Sequence, residues 1–177
     1  MSSIILLLLL FLIPIFYERV VKEQGWGKIR EDLVGKYQGH KKELVGSLAL
    51  FSALIIGFLI ITVVVNIAQF NDLELVEKVI NESVSASPVF FIASMFVVVL
   101  AEEFFFRAFL VKRLGVLLST VAFTLLHIGY GSYAELFGVF FLGLILAYWY
   151  KKKNSLLQNY AGHMLYNFFA VAMYFLI

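Results

Sequence analysis

Six long apolar runs, separated by short charged or glycine-rich segments, organise this chain. As helix, the hydrocarbon core of a bilayer takes about 20 residues. Runs of that order cover roughly 3–17, 44–69, 88–110, 114–130, 133–150 and 155–177. The first is short and contains Pro14, which marks it as a tilted, interfacial or incomplete span. The fourth is also short, but no charge interrupts it. The N-terminus lacks a basic n-region and a small-x-small cleavage site, so the first run reads as a retained helix and not a signal peptide. The pattern predicts an all-α, polytopic transmembrane helix bundle of about six spans. It reads as a single integral-membrane domain over 1–177 with no internal repeat.

Composition strengthens this picture. Of the 177 residues, 62% are hydrophobic and the mean hydropathy is +0.94, against about 45–50% apolar in soluble domains. Cysteine is absent, which removes disulfides, thiolate nucleophiles and Cys-ligated metals. A net charge of +2 gives no footprint for nucleic acid.

The basic residues predict orientation. Twelve of the 14 Lys and Arg residues fall in alternate loops, namely 18–43, 111–113 and 151–153. The opposite loops hold only Lys78, and Arg107 lies inside a span. By the positive-inside rule the three basic loops are cytoplasmic and both termini lie outside. Segment 18–43 mixes charges of both signs with Val20, Val21, Trp26, Ile29 and Leu33, the pattern of a cytoplasmic amphipathic segment, with His40 solvated among its lysines. The acidic 71–87 loop faces out, and its Asn81-Glu82-Ser83 matters as a sequon only in a eukaryotic secretory setting.

Once the loops are set aside, few strongly polar side chains remain in the last four runs: Glu102, Glu103, Arg107, His127, His163 and Asn167. A charge at mid-membrane costs on the order of 2.5–3.5 kcal/mol even on the gentler scales, so such groups pair or serve a function. Counted at 1.5 Å per residue from the cytoplasmic ends, Glu102 and His163 lie about 12 Å deep, and His127 and Asn167 about 18–20 Å. Glu103 and Arg107 stand i,i+4 with the acid first, the favoured order for a helical ion pair. Glu102 projects about 100° away on the same helix and needs company from another.

His163 and Asn167 are also i,i+4 and share a helix face, while Gly162 permits a close approach. His127 leads into a glycine-rich exit, Ile128-Gly129-Tyr130-Gly131. A Glu and a His converging on water, with His and Asn donors nearby, constitute a hydrolytic site. Glu102 and His127 would activate the water, and His163 and Asn167 would hydrogen-bond the developing oxyanion. Taken singly, each His or Asn also fits interhelical hydrogen bonding, and the Glu103–Arg107 pair fits a structural role. A proton- or ion-coupled relay through Glu102 and the histidines is a further reading, against which stands the lack of paired broken helices or inverted repeats.

Three motifs carry a family resemblance. E-E-F-F-F-R (Glu102, Glu103, Arg107) resembles the E-E-x-x-x-R motif of the CAAX prenyl protease and bacteriocin-processing (CPBP, Abi) family of intramembrane proteases. F-T-L-L-H (Phe123, His127) resembles its F-x-x-x-H motif, and H-M-L-Y-N (His163, Asn167) its H-x-x-x-N motif. They occur in the family's order and spacing over about residues 88–177, whereas residues 1–87 match nothing in it.

The resemblance implies a catalytic core of four helices around a membrane-open cavity, and peptide-bond hydrolysis in a membrane-embedded or lipid-associated substrate. It implies Glu102 as general base assisted by His127, His163 with Asn167 as the oxyanion pair, and Glu103 with Arg107 in support. A metal-free mechanism is the favoured expectation; zinc on His127, His163 and Glu102 is the alternative, with Asn a poor zinc ligand and H-E-x-x-H absent. The chain is short for the family, which turns the expectation from prenyl-protein processing to bacterial or archaeal peptide processing in the plasma membrane. A non-catalytic bacteriocin self-immunity or scaffold protein of the same fold is the alternative.

Overall fold

The computed structural model describes residues 2–35, 37–70 and 72–176; for Ser2, Ser3, Tyr174 and Leu176 it describes the backbone alone. Lys36, one of the basic residues of the first loop, and Ile177, the end of the sixth run, lie outside the described residues. The chain runs as α1 (Ser2–Phe16), a π turn (Tyr17–Val21), α2 (Trp26–Val34), α3 (His40–Ile67), α4 (Glu74–Ala86) and α5 (Pro88–Glu102). A π-helical segment (Glu103–Val111), α6 (Lys112–Leu125), a 3-10 turn (Leu126–Tyr130), α7 (Tyr133–Lys153) and α8 (Leu156–Leu176) follow. An all-α bundle is therefore the architecture. Regular pairing of extended backbone among the described residues is confined to one isolated bridge, Gly35 to Ser155.

Among the described residues, four stretches are long and apolar enough to cross a membrane: Ile4–Val21, His40–Ile67, Pro88–Tyr130 and Tyr133–Lys153. Pro88–Tyr130 is 43 residues long and reverses at Gly115, whose φ of 79° and ψ of 179° leave the helical region. A residue with a Cβ would be strained there. The expected turn at 111–113 is thus displaced by a few residues, with Lys112 and Arg113 still at the bend. α8 is outside the four, and its Gln158, Asn159, His163 and Asn167 explain its lower hydropathy.

Two expected loops contain helices. α4 occupies most of the 71–87 loop and buries none of its side chains. α2 lies within 18–43 and packs Ile29 and Leu33 against Phe109, so this segment braces the π segment from one end. The expected glycine-rich exit after His127 is a 3-10 turn closed by Gly131 in the left-handed region.

The helix starts follow from local chemistry. Ser87 caps α5 by accepting from Phe90 N, with Pro88 in the first turn, where its missing N–H costs nothing. Ser132 caps α7 by accepting from Glu135 N at 3.0 Å. Apolar faces then assemble around the π segment. Phe106 packs with Leu10, Ala101 and Phe123, and Ala108 and Val111 pack with Ala147, Tyr150 and Leu156. Leu50, Leu54 and Leu146 form a separate α3–α7 core. At Gly162 a Cβ would meet Leu50 at 2.9 Å, which accounts for the close α3–α8 approach.

Contacts between distant segments sort the loops into two ends. Lys112 Nζ donates to Asp32 O, Arg113 pairs with the buried Glu18, and Gln38 Nε2 donates to Lys153 O. Ser155 Oγ donates to the buried Glu43 at 2.7 Å. All three basic loops therefore meet at one end. At the other end Asp72 accepts from Ser132 Oγ at 3.0 Å, Ala134 N at 3.1 Å and Tyr133 N, a carboxylate set against the positive N-terminus of α7.

Desolvation pushes the Asp72 carboxyl upward, but the Tyr133, Ala134 and Ser132 donors outweigh it and hold it below the usual carboxylate range. A depressed folded value stabilises the fold above the unfolded value of about 3.9 and loses that contribution as pH falls through the folded one. Asp72→Asn is therefore expected to lower the melting temperature at pH 7. Acidifying below about pH 3.9 should close the gap between variant and parent, which thermal unfolding across pH would measure.

Candidate active site

Sequence alone pairs Glu103 with Arg107 and leaves Glu102 seeking partners on other helices. The structure distributes the contacts differently. Glu103 is fully buried (0% exposed) and is the group bound across helices. Its Oε1 lies 2.8 Å from His163 Nδ1 and 3.6 Å from Arg107 Nε, and its Oε2 accepts from Asn159 Nδ2 at 3.1 Å. Asn159 also donates to Leu146 O at 2.9 Å, tying the cluster to α7. Because a carboxylate only accepts, His163 donates Nδ1–H, and this fixes its ring with Nε2 turned away from Glu103.

The π segment supplies this arrangement. Its wider turn starts at Glu103 and carries Phe106, Arg107 and Phe109 inward together, and such segments concentrate at functional sites. Ser119 Oγ donates to Phe106 O at 2.6 Å, which locks α6 to the segment.

Arg107 is 1% exposed, and its three guanidinium nitrogens find no hydrogen-bond partner among the described residues. Its charge is met by Glu103 and by the Phe123 ring, whose centroid lies 4.1 Å from Cζ. Phe123 also touches both histidines, with ring centroids 4.8 Å from His127 and 6.4 Å from His163. The phenylalanine of F-x-x-x-H thus sits among the other motif residues. His127 contacts Phe123 O through Nδ1 at 3.0 Å and stacks on Tyr130.

Glu102 is half-buried, and its carboxylate makes no hydrogen bond or ion pair among the described residues. It lies in the electrostatic reach of His163, Arg107 and Glu103. Asn167, one turn beyond His163, is half-buried and also makes no hydrogen bond among the described residues. So Glu103, Arg107 and His163 come together directly, His127 joins through Phe123, Glu102 lies within their electrostatic reach, and Asn167 is not tied to the cluster by any hydrogen bond among the described residues.

Sequence reasoning missed Asn159. Its signal was present, since Asn159, His163 and Asn167 form an unbroken i,i+4 row of polar residues on α8. Among the described residues no group of three or more His, Asp or Glu side chains converges as a metal ion would require.

Removing the charge of Glu103 strands a buried guanidinium, a change that costs about 3–5 kcal/mol for buried pairs. Glu103→Leu should therefore sharply lower the melting temperature in detergent. Glu102→Gln, which breaks no hydrogen bond, should leave it nearly unchanged.

No curated protein and no solved structure matches the chain. Residues 84–169 match the family model described as Rce1-like, type II CAAX prenyl endopeptidase Rce1-like. That range contains all seven motif residues and Asn159, and the resemblance carried by the three motifs is borne out across it: this part of the chain is Rce1-like, similar to the type II CAAX prenyl endopeptidases.

Proposed function

We propose that this protein is an intramembrane endopeptidase that cuts a peptide bond in a membrane-associated peptide or protein. The observation that carries the reading is the Glu102 carboxylate, unpartnered among the described residues and within electrostatic reach of His163, a ring that Glu103 orients. The Rce1-like match over the same residues supports it. Glu102, assisted by His127, takes a proton from water as the water oxygen attacks the scissile carbonyl carbon. The carbonyl oxygen gains the negative charge and is held by the His163 ring and by the Asn167 amide. Collapse of this intermediate breaks the C–N bond, and Glu102 returns the proton to the leaving amine.

Arg107 acts behind this layer by offsetting the charge of Glu103, and Glu103 in turn holds the His163 ring in place. The reading assigns every step to a side chain and routes none through a metal. A groove of about 470 Å³ between α3, α5 and α8, with Phe96, Tyr160 and Met164 in its wall, supports approach of a substrate from the lipid side.

The meeting of the basic loops at one end of the bundle supports six crossings in a plasma membrane, with that end cytoplasmic and both termini outside. The chain has no cysteine, so single Lys78→Cys and Lys152→Cys variants report sidedness directly. An impermeant thiol reagent applied to intact cells should label the first and spare the second.

Glu102→Gln keeps size and polarity but abolishes basicity, and loss of a general base costs about 10²–10⁴-fold in rate. Peptidomics of membranes expressing the parent or Glu102→Gln should show peptides released only by the parent, at equal folded yield. Identical peptide profiles would overturn the protease reading and favour a scaffold or immunity protein of this fold.

A further inference from the structure

A second cavity lies away from the Glu103 cluster, at the end where the basic loops meet. It holds about 550 Å³ between the start of α3, the end of α7 and the start of α8, within the roughly 300–1,000 Å³ of small-molecule sites. Its rim carries Lys41, Lys42 and Lys153, and its wall is Val45, Ala49 and Trp149.

The three lysines are exposed, and none has a carboxylate partner among the described residues. The acid nearest in sequence, Glu43, is buried and turned to Ser155 and Gln38. Lys153 instead places its ammonium 5.5 Å from the Trp149 ring. The cavity therefore has a positive rim that no carboxylate among the described residues pairs with.

Its floor is polar as well. Gln158 is 2% exposed and accepts from Trp149 Nε1 through Oε1 at 3.2 Å. Its amide Nε2 makes no hydrogen bond among the described residues, although the side chain lines the cavity. Gly46 makes room for this amide, since a Cβ there would lie 2.2 Å from Gln158 Oε1. The N-terminus of α3 opens on the same space with no side-chain cap on its first N–H groups, and such a terminus favours an anion.

We infer that this cavity binds the headgroup of an anionic phospholipid, with its phosphate among Lys41, Lys42, Lys153 and the Gln158 amide and its acyl chains along Val45 and Ala49. Charge complementarity selects the phosphate. The apolar wall, continuous with the lipid-facing surface of α3, selects a lipid over a free ion. Basic pockets between helices at the cytoplasmic interface bind such headgroups, and each lysine favours them by about fivefold.

Only Trp26 and Trp149 fluoresce as tryptophan, so Trp26→Phe leaves a reporter in the cavity wall. In this background the full chain is placed in phosphatidylcholine vesicles containing one quarter brominated phosphatidylglycerol or one quarter brominated phosphatidylcholine. Trp149 should be quenched several-fold more efficiently by the anionic lipid. Lys41→Gln/Lys42→Gln/Lys153→Gln should abolish that excess, while Lys151→Gln/Lys152→Gln, at the same end but outside the cavity, should keep it. Equal quenching by the two lipids would overturn the inference. So would an excess that survives the triple substitution, or one lost equally in the Lys151/Lys152 variant.

Discussion

The charge on Glu103 governs this structure. A carboxylate with no solvent exposure inside an apolar bundle is tolerable only if other groups neutralise it and fill its lone pairs. Arg107 supplies the charge from within the π segment, and His163 and Asn159 supply hydrogen bonds from α8. Because Asn159 also holds the Leu146 carbonyl, satisfying one carboxylate fixes the π segment, α7 and α8 relative to one another. Lipid gives helices no hydrophobic reason to associate, so polar contacts and close packing decide which faces meet.

Phe123 does for the histidines what Glu103 does for the ions. One ring contacts the Arg107 guanidinium, His127 and His163. It is held against α7, where Gly143 leaves it room: a Cβ there would meet Phe123 at 3.1 Å. The negative face of the ring partly offsets the cation that the hydrogen-bond network leaves unserved. Polar cluster and aromatic packing are therefore one assembly, centred on the junction of α5 with the π segment.

Much of this was legible in the sequence, and the rest was hidden for definite reasons. Hydropathy marked the apolar helices, and the alternation of Lys and Arg grouped loops that the structure does bring to one end. The motif spacing picked out residues that gather around Phe123. Arg107 was readable as the i,i+4 partner of Glu103, but its donor His163 was not, because i,i+4 arithmetic looks along one helix and that donor comes from α8. Asn159 was concealed by a similar habit: it belongs to none of the three motifs, yet it lies on the same stripe as His163. α2 was legible as an amphipathic segment, of which only Ile29 and Leu33 reach the core, whereas α4 was read as a loop because it is short and acidic.

The π segment has one more consequence, concerning lengths of chain and not kinds of side chain. Over Glu103–Val111 the backbone carries more residues per turn than an α-helix needs to cover the same rise. Many substitutions on its lipid side leave that surplus intact. Loss of a single residue would let the segment relax into an ordinary α-helix, changing the angle between what lies before the deletion and what lies beyond it. Arg107 would then swing away from Glu103, or Glu103 from α8. In this stretch, therefore, the number of residues is as much a part of the site as the glutamate with which it begins.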